Sequence, residues 1–350
     1  MDIAARHRDL LGRLGALARK DLGADALLET ASALLVQAFP GDLVFFAGID
    51  PETRALQRFY QAPPLPSLHT RVYINEYFET DFNQFTTLAR QAVPVGILDE
   101  VTDHNKNASV RHRELTRGQL GMDHEMRGVF RMGRKVSGVV SLLRPGQRPE
   151  YVAGEARFLA SFAAGLEPAL QRAWLKSLAG TDAPASVGQI LLDRSLGLEA
   201  ANPAGERWRA ELGADWEPLV QSLAALVRMR GSDPEGPLGP YSPRVRMTTR
   251  QGRWVTVHAS LLTGPGGEER LSLIIEGAGA HQLQGLWWEA YGLTDREQDV
   301  FRCVLRGDDT RDIAAELGIS PYTVQDFLKS IFAKTGVRSR RDLVAKSLFR

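Results

Sequence analysis

Apolar residues recur at intervals of three and four positions in four separate stretches near the end of the chain. This spacing places each set on one face of a helix. The inward-facing residues are Val300, Val304 and Leu305, then Ile313, Ala314 and Leu317, then Val324, Leu328 and Ile331, and then Leu343, Val344 and Leu348. The pattern predicts four short amphipathic helices between residues 292 and 350.

Helix start and stop signals agree with this spacing. Residues whose side chains cap helix N-termini precede the four stretches, at Thr294, Asp309, Ser320 and Ser339. Glycines that commonly end a helix follow three of them, at Gly307, Gly318 and Gly336. Only residues 318–320 separate the second helix from the third, which predicts the short turn of a helix-turn-helix.

Upstream, the pattern alternates between helices and strands. Helices are predicted over 3–37, with a break near residue 21, and over 150–176. Strands are predicted at 43–49, 55–60, 123–132 and 135–143. This order of elements indicates an α+β domain over residues 1–179.

A second α+β domain is predicted over residues 187–277. A Gly-, Ala- and Pro-containing linker precedes it at 180–186. Its predicted strands lie at 189–193, 198–201, 244–249, 254–262 and 270–276. Residues 278–291 then predict a linker helix that leads to the C-terminal helices.

The C-terminal stretch resembles the DNA-binding domain of LuxR-type (GerE-type) transcriptional regulators. The resemblance rests on the segments LTDRE, IAAELGIS and IFAKTGVRSR. It implies a one-component, sequence-specific transcription regulator that binds an operator in double-stranded DNA as a homodimer. It also implies a four-helix, all-α domain over 292–350. A generic four-helix interaction module is the alternative interpretation.

Candidate DNA contacts lie on and around the third helix of this domain. If its apolar residues face the core, then Tyr322, Gln325, Asp326 and Lys329 face outward, where they would read base edges in the major groove. The residues better placed for phosphates are Thr323, Lys334, Arg338 and Arg340. Residues 320–350 hold seven basic against two acidic residues, a net charge of +5 in a chain of +1, which favours docking on DNA.

Two positions depart from the family pattern. Gln325 stands where relatives usually have lysine, and Phe327 where they often have histidine. An acid at 326 is costly near phosphates unless it accepts a hydrogen bond from a cytosine amino group. A protein-binding regulator with a degenerate helix-turn-helix and weak or no specific DNA binding is therefore the alternative function.

The two upstream domains also carry resemblances. Residues 1–179 are similar to a GAF-type sensor or dimerisation domain, on the phrase GMDHEMRGVF…GVVSLLR. Residues 187–277, with Asn-Pro-Ala after a strand pair, resemble a PAS domain. These resemblances imply sensor domains that bind a small ligand or a partner, although the PAS-like segment is more typical of a protein–protein and signal-relay module. No cofactor is expected, because no cysteine is available there for a flavin adduct and no haem ligand stands out.

Aromatic residues are unusually dense in the middle of the first domain. They fill a core, or they line a pocket for a small apolar or aromatic ligand. The candidate ligand-binding residues are Phe46, Tyr73, Tyr77, Phe82, Phe85 and His124.

Composition narrows the function classes. The chain has 350 residues, of which 43% are hydrophobic and 24% charged, as in globular proteins. Its histidines and acids lack the repeated spacing of a metal motif, and no catalytic elbow or phosphate-binding loop occurs. We therefore expect neither an enzyme nor a metal site.

With no apolar run of membrane-spanning length and no signal peptide, we expect a cytoplasmic protein. The helices at 3–19 and 150–176 are candidates for the dimer contact.

Overall fold

The computed structural model describes residues 3–50, 56–62, 69–132, 135–178, 186–232, 243–249 and 251–347. They form two units, each built on a five-stranded antiparallel sheet, and a helical C-terminal unit. Among the helices of these residues, none combines the length and the apolar character that a membrane span requires.

The first unit places one sheet between two layers of helices. Its helices are α1 Ile3–Ala18, α2 Ala24–Ala38, α3 His69–Phe78, α4 Phe85–Leu88, α5 Leu98–Val101 and α6 Ala153–Leu178. Its strands are β1 Leu43–Ile49, β2 Leu56–Ala62, β3 Val95–Ile97, β4 Met122–Met132 and β5 Lys135–Pro145, in the order β2-β1-β5-β4-β3. The predicted helices and strands are confirmed within a few residues. A five-residue π-helix, His112–Thr116, precedes β4.

The apolar stripes of α1, α2 and α6 pack together on one face of this sheet. Leu10 and Leu14 of α1 are buried, as are Phe162 and Leu166 of α6. Both α1 and α6 are thus packed within their own chain. The predicted apolar stripes of these two helices therefore pack against the sheet and against each other.

The second unit repeats the strand order of the first. Its elements are β6 Gly188–Leu192, β7 Leu198–Ala201, α7 Pro203–Leu212, α8 Trp216–Ser232, β8 Arg244–Thr248, β9 Trp254–Thr263 and β10 Glu269–Gly277. The order is β7-β6-β10-β9-β8, so in both units the first strand pairs with the second and fifth. Trp208 and Leu212 of α7 and Leu223 of α8 pack on the inner side of the sheet.

The C-terminal region consists of five helices. They are α9 Ala280–Ala290, α10 Asp295–Arg306, α11 Thr310–Leu317, α12 Pro321–Thr335 and α13 Arg340–Ser347. Helix α9 corresponds to the predicted linker helix, but it packs against α6 of the first unit and against α13. Its Trp287 stacks on Phe301 of α10 with ring centroids 5.3 Å apart. The first unit, α9 and the C-terminal helices therefore share one continuous core.

A buried ion pair joins the two sheet units. The guanidinium of Arg246 in β8 donates to both carboxylate oxygens of Asp50, at 2.9 and 2.7 Å, and to the carbonyl of Gln282 in α9 at 2.6 Å. Arg246 is 1% exposed and Asp50 is fully buried. One side chain thus connects the end of β1, the second sheet and α9.

Candidate nucleic-acid interface

Helix α12 is fixed by its own capping residues and by one buried face. The hydroxyl of Ser320 accepts from the backbone N–H of Thr323 at 3.0 Å, and Pro321 occupies the first helical position. Val324, Leu328 and Ile331 are buried against the other C-terminal helices. These predicted capping and core residues are confirmed, so the orientation of α12 follows directly from the sequence pattern.

The turn between α11 and α12 is that of a helix-turn-helix. Gly318 ends α11 with a φ of 64°, a left-handed conformation that glycine adopts without a steric penalty. The N–H of Ile319 then donates to the carbonyl of Ala314 at 3.0 Å. The tight turn leaves the outer face of α12 exposed beside α11.

The outer face of α12 carries four polar or aromatic side chains. Tyr322 is 73% exposed, and Gln325, Asp326 and Lys329 are exposed as well. The ammonium of Lys329 lies 3.1 Å from a carboxylate oxygen of Asp326. Gln325 donates to the hydroxyl of Thr310 at 3.2 Å and thereby braces α12 against α11. The four residues form one row along the helix, as predicted.

The basic residues that flank this row differ in whether they form hydrogen bonds within the C-terminal unit. Arg338 is exposed and makes no hydrogen bond or ion pair with any described residue. Arg340 instead donates to the carbonyl of Asp308 and to the hydroxyl of Thr310, both at 2.8 Å. Lys334 donates to the carbonyl of Gly292 at 3.0 Å and to Glu297 at 2.6 Å. Part of the positive charge that the sequence concentrates here therefore holds the unit together.

Glu297 is the polar centre of the C-terminal unit. It is 4% exposed and closes a capping box with Thr294, whose N–H donates to it at 2.7 Å. Ser330 of α12 also donates to it, at 2.5 Å. Burial would raise the pKa of this carboxyl, but the hydrogen bonds from Lys334, Ser330 and Thr294 outweigh burial and lower its pKa. The sequence shows the capping box alone, since the residues from α12 reach Glu297 only in the fold.

Replacement of Glu297 by glutamine will destabilise the C-terminal unit by about 2 kcal/mol at neutral pH, because hydrogen bonds to charged groups contribute about 1.5–3 kcal/mol. Because the pKa is lowered in the folded state, the stabilisation by the ionised carboxylate is fully present at pH values above the unfolded-state pKa of about 4.3. The contribution is lost as the pH falls through the lower, folded-state pKa. Hydrogen exchange of α10 and α12 in the full chain measures the effect. Glu316→Gln, which removes a half-exposed carboxylate, is the control; an equal loss of protection in both variants would contradict the prediction.

Those predicted ligand-binding residues whose side chains the structure describes do not converge on one pocket. Phe46 packs with Phe130 on the face of the first sheet that the long helices cover. Phe85 lies on the opposite face with Val129 and Val139. Phe82 is half-buried beside α4. The side chains of Tyr73 and Tyr77, both in α3, lie outside the described residues.

His124 belongs to a third location. Its ring nitrogen is 3.2 Å from Asp99 and 3.3 Å from the ammonium of Lys106. With Glu150, Asp99 and His124 form a group whose ligand atoms lie within 4.8 Å of one another. The ammonium of Lys106 also lies 3.1 Å from a carboxylate oxygen of Asp99.

Buried charged side chains share with Phe85 the face of the first sheet that lies opposite the long helices. Arg111 donates to Glu125 at 3.0 and 2.8 Å, and Arg127 donates to Glu76 at 3.0 Å. All four residues are at most 5% exposed. The guanidinium of Arg127 lies 3.6 Å above the ring of Phe85. This network is not apparent from the sequence, in which the aromatic residues are the most prominent feature of this region.

Residues 292–347 match the family described as "Bacterial regulatory proteins, luxR family". The spore germination protein GerE of Bacillus subtilis (strain 168) is 38% identical over 56 residues, which is 16% of this chain and 76% of GerE. The chain belongs to the luxR family. The transcriptional regulatory protein DesR of the same organism is 37% identical over 65 residues, 19% of this chain and 33% of DesR. The chain thus spans about a third of this relative's length.

Among solved structures, the Escherichia coli SdiA crystal structure aligns over 100% of both chains, with 14% identity and a TM-score of 0.32. The Vibrio cholerae VqmA–ligand–DNA complex aligns over 47% of this chain and 82% of that chain, with 17% identity and a TM-score of 0.21. These TM-scores are too low to relate the two sheet units to either structure. The luxR-family assignment rests on the C-terminal unit, α10 to α13.

Proposed function

We propose that this protein is a sequence-specific DNA-binding transcription regulator whose helix α12 enters the major groove. The observation that carries the proposal is the exposed row of Tyr322, Gln325, Asp326 and Lys329 on a helix whose other face is buried in a helix-turn-helix. Membership of the luxR family supports it. In this role the row reads base edges, while Thr323, Lys334, Arg338 and Arg340 lie toward the phosphates.

We further propose that two copies bind together, because one helix-turn-helix unit reads a short half-site and dimers read two. The sheet units would then act as GAF-like (1–179) and PAS-like (187–277) sensor or dimerisation domains. The strand order shared by the two sheets supports this assignment.

In vitro selection of duplexes from a random library by the full-length protein tests the DNA-binding function. We expect one enriched motif with two half-sites, bound specifically at about 0.15 M salt. Recovery of no motif would overturn the proposal. It would favour the protein-binding alternative, which the neutralisation of Lys329 by Asp326 supports.

Arg338→Ala will weaken binding to all sequences alike and reduce the slope of log affinity against log salt by about 1, because one phosphate contact is lost. Fluorescence anisotropy on the selected duplex and on a scrambled one measures both quantities. Arg209→Ala, an exposed arginine of the second unit, should leave the slope unchanged. A slope that does not differ between the two variants would remove Arg338 from the interface.

A further inference from the structure

The ion pair between Asp326 and Lys329 lies in the middle of the exposed row on α12. The two side chains are one helical turn apart, and their charged ends are 51% and 72% exposed. An ion pair this exposed contributes little to stability, typically less than about 1 kcal/mol. The fold of the unit therefore does not depend on it, and both groups remain available to a ligand.

The pair offers an acceptor and a donor side by side. A carboxylate oxygen of Asp326 and the ammonium of Lys329 are 3.1 Å apart. In the major groove, a C·G pair presents the cytosine N4 amino group next to guanine O6. These two atoms are hydrogen-bonded to each other across the base pair, at about 2.9 Å. Acceptor and donor on the helix thus match donor and acceptor on the base pair, in kind and in spacing.

We propose that Asp326 and Lys329 together read one C·G base pair, with Asp326 accepting from cytosine N4 and Lys329 donating to guanine O6 and N7. This inference rests on the proposed DNA-binding function. It assigns a specificity to an acid that would otherwise be costly near phosphates. The two residues act as a unit, because each neutralises the charge that its partner would otherwise bring alone to the groove.

The chemistry favours C·G over the other base pairs. An A·T pair also sets an amino group, adenine N6, beside a carbonyl, thymine O4. Only guanine, however, presents two adjacent acceptors, O6 and N7, to a cation. The ammonium of Lys329 therefore gains more at guanine than at thymine.

The negative charge of Asp326 has a second consequence. Within the groove it is repelled by the phosphates of any duplex, whatever the sequence. A base amino group that donates to the carboxylate offsets this repulsion, and the paired contact of Lys329 selects cytosine for that role. Removal of the carboxylate should therefore raise affinity for unrelated DNA while it abolishes the preference for the C·G pair.

The experiment compares full-length wild type, Asp326→Ala and a matched control, Asp299→Ala. Asp299 forms the same three-residue-spaced ion pair, with Arg302 on α10 at 2.6 Å, but away from the α12 row. Each protein is used for in vitro selection. Its affinity is then measured for the selected duplex, for that duplex with the C·G pair changed to T·A or A·T, and for a scrambled duplex. Thermal unfolding verifies that all three proteins are folded.

For wild type and Asp299→Ala, we expect a C·G position in the motif and a roughly tenfold loss of affinity when it is changed. For Asp326→Ala, we expect less than about twofold loss at that position and tighter binding to the scrambled duplex. Replacement of the paired guanine by 7-deazaguanine should weaken wild-type binding. A motif without this position, a preference for A·T there, or identical profiles for all three proteins would overturn the inference and leave the function standing. Failure of wild type to select any motif would overturn both.

Discussion

Replacement of Trp287 by alanine will destabilise the attachment of the luxR-family unit by about 3–5 kcal/mol, the usual cost of removing a buried tryptophan. Trp287 is 3% exposed. Its ring centroid lies 4.4 Å from that of Tyr291, which follows α9, and 5.3 Å from that of Phe301 in α10. The cavity left behind would open the core that α9 shares with α6 and α10.

Hydrogen exchange of α9 and α10 in the full chain measures this effect locally, which is necessary because a protein of several units does not unfold in one step. Trp216→Ala is the matched control, since Trp216 is only partly buried in the second unit. It should leave exchange in α9 and α10 unchanged. Unaltered protection of α10 in the Trp287 variant would show that α9 does not hold the unit in place.

The same variant tests whether the first unit influences the proposed DNA binding. Lys135 of β5 lies 3.1 Å from Glu289 of α9, and Gln298 of α10 donates to the same carboxylate at 3.2 Å. The side chain of Gln171 in α6 also donates to the carbonyl of Ala290. Helix α9 is therefore a packed connection between the first sheet and α10, and loosening it should change DNA affinity if the two are coupled.

Replacement of Arg246 by methionine will destabilise the contact between the two sheet units by about 3–5 kcal/mol, because it leaves the Asp50 carboxylate buried without its principal cation. Asp50 and the guanidinium of Arg246 are both at most 1% exposed. Urea unfolding monitored by tryptophan fluorescence and by exchange in β1 and β8 measures the loss.

The double variant Asp50→Asn, Arg246→Met separates the pair's own contribution from the penalty of an uncompensated charge. It should recover much of the loss, since no charge then remains buried. Arg209→Met breaks an exposed pair with Glu206 and should cost less than about 1 kcal/mol. If Arg246→Met behaved like Arg209→Met, the buried pair would have no role in joining the units.

A region could be predicted from the sequence when the residues that determine its structure lie close to one another along the chain. In the C-terminal unit, capping side chains, terminal glycines and apolar stripes lie within a few residues of the backbone groups they affect. Helices α10 to α12 were therefore predicted closely, and so was the outward row on α12. The strands were predicted for the same reason, because turn residues and apolar runs mark their ends.

The polar interior of the first unit could not be predicted. Glu76, Arg111, Glu125 and Arg127 come from α3, the helical turn near residue 112 and β4, and each reads in the sequence as an ordinary surface charge. Only the approach of α3 to the sheet brings them together and removes them from water. For the same reason, the candidate pocket residues Phe46 and Phe85 belong to opposite faces of the sheet, which their aromatic character does not reveal.

The sequence by itself determined the helix-turn-helix, its family and the side chains that α12 presents, because helix periodicity and capping are local. Only the tertiary structure decided which cations remain free. Lys334 is held by Glu297 and Arg340 by Asp308 and Thr310. Arg338 is exposed and makes no hydrogen bond or ion pair with any described residue, and Lys329 makes only an exposed pair with Asp326. The physical reason is that the nearest hydrogen-bonding or oppositely charged group decides whether a charged side chain is held within the unit or available to a ligand. Groups that are distant in sequence meet only when the helices pack.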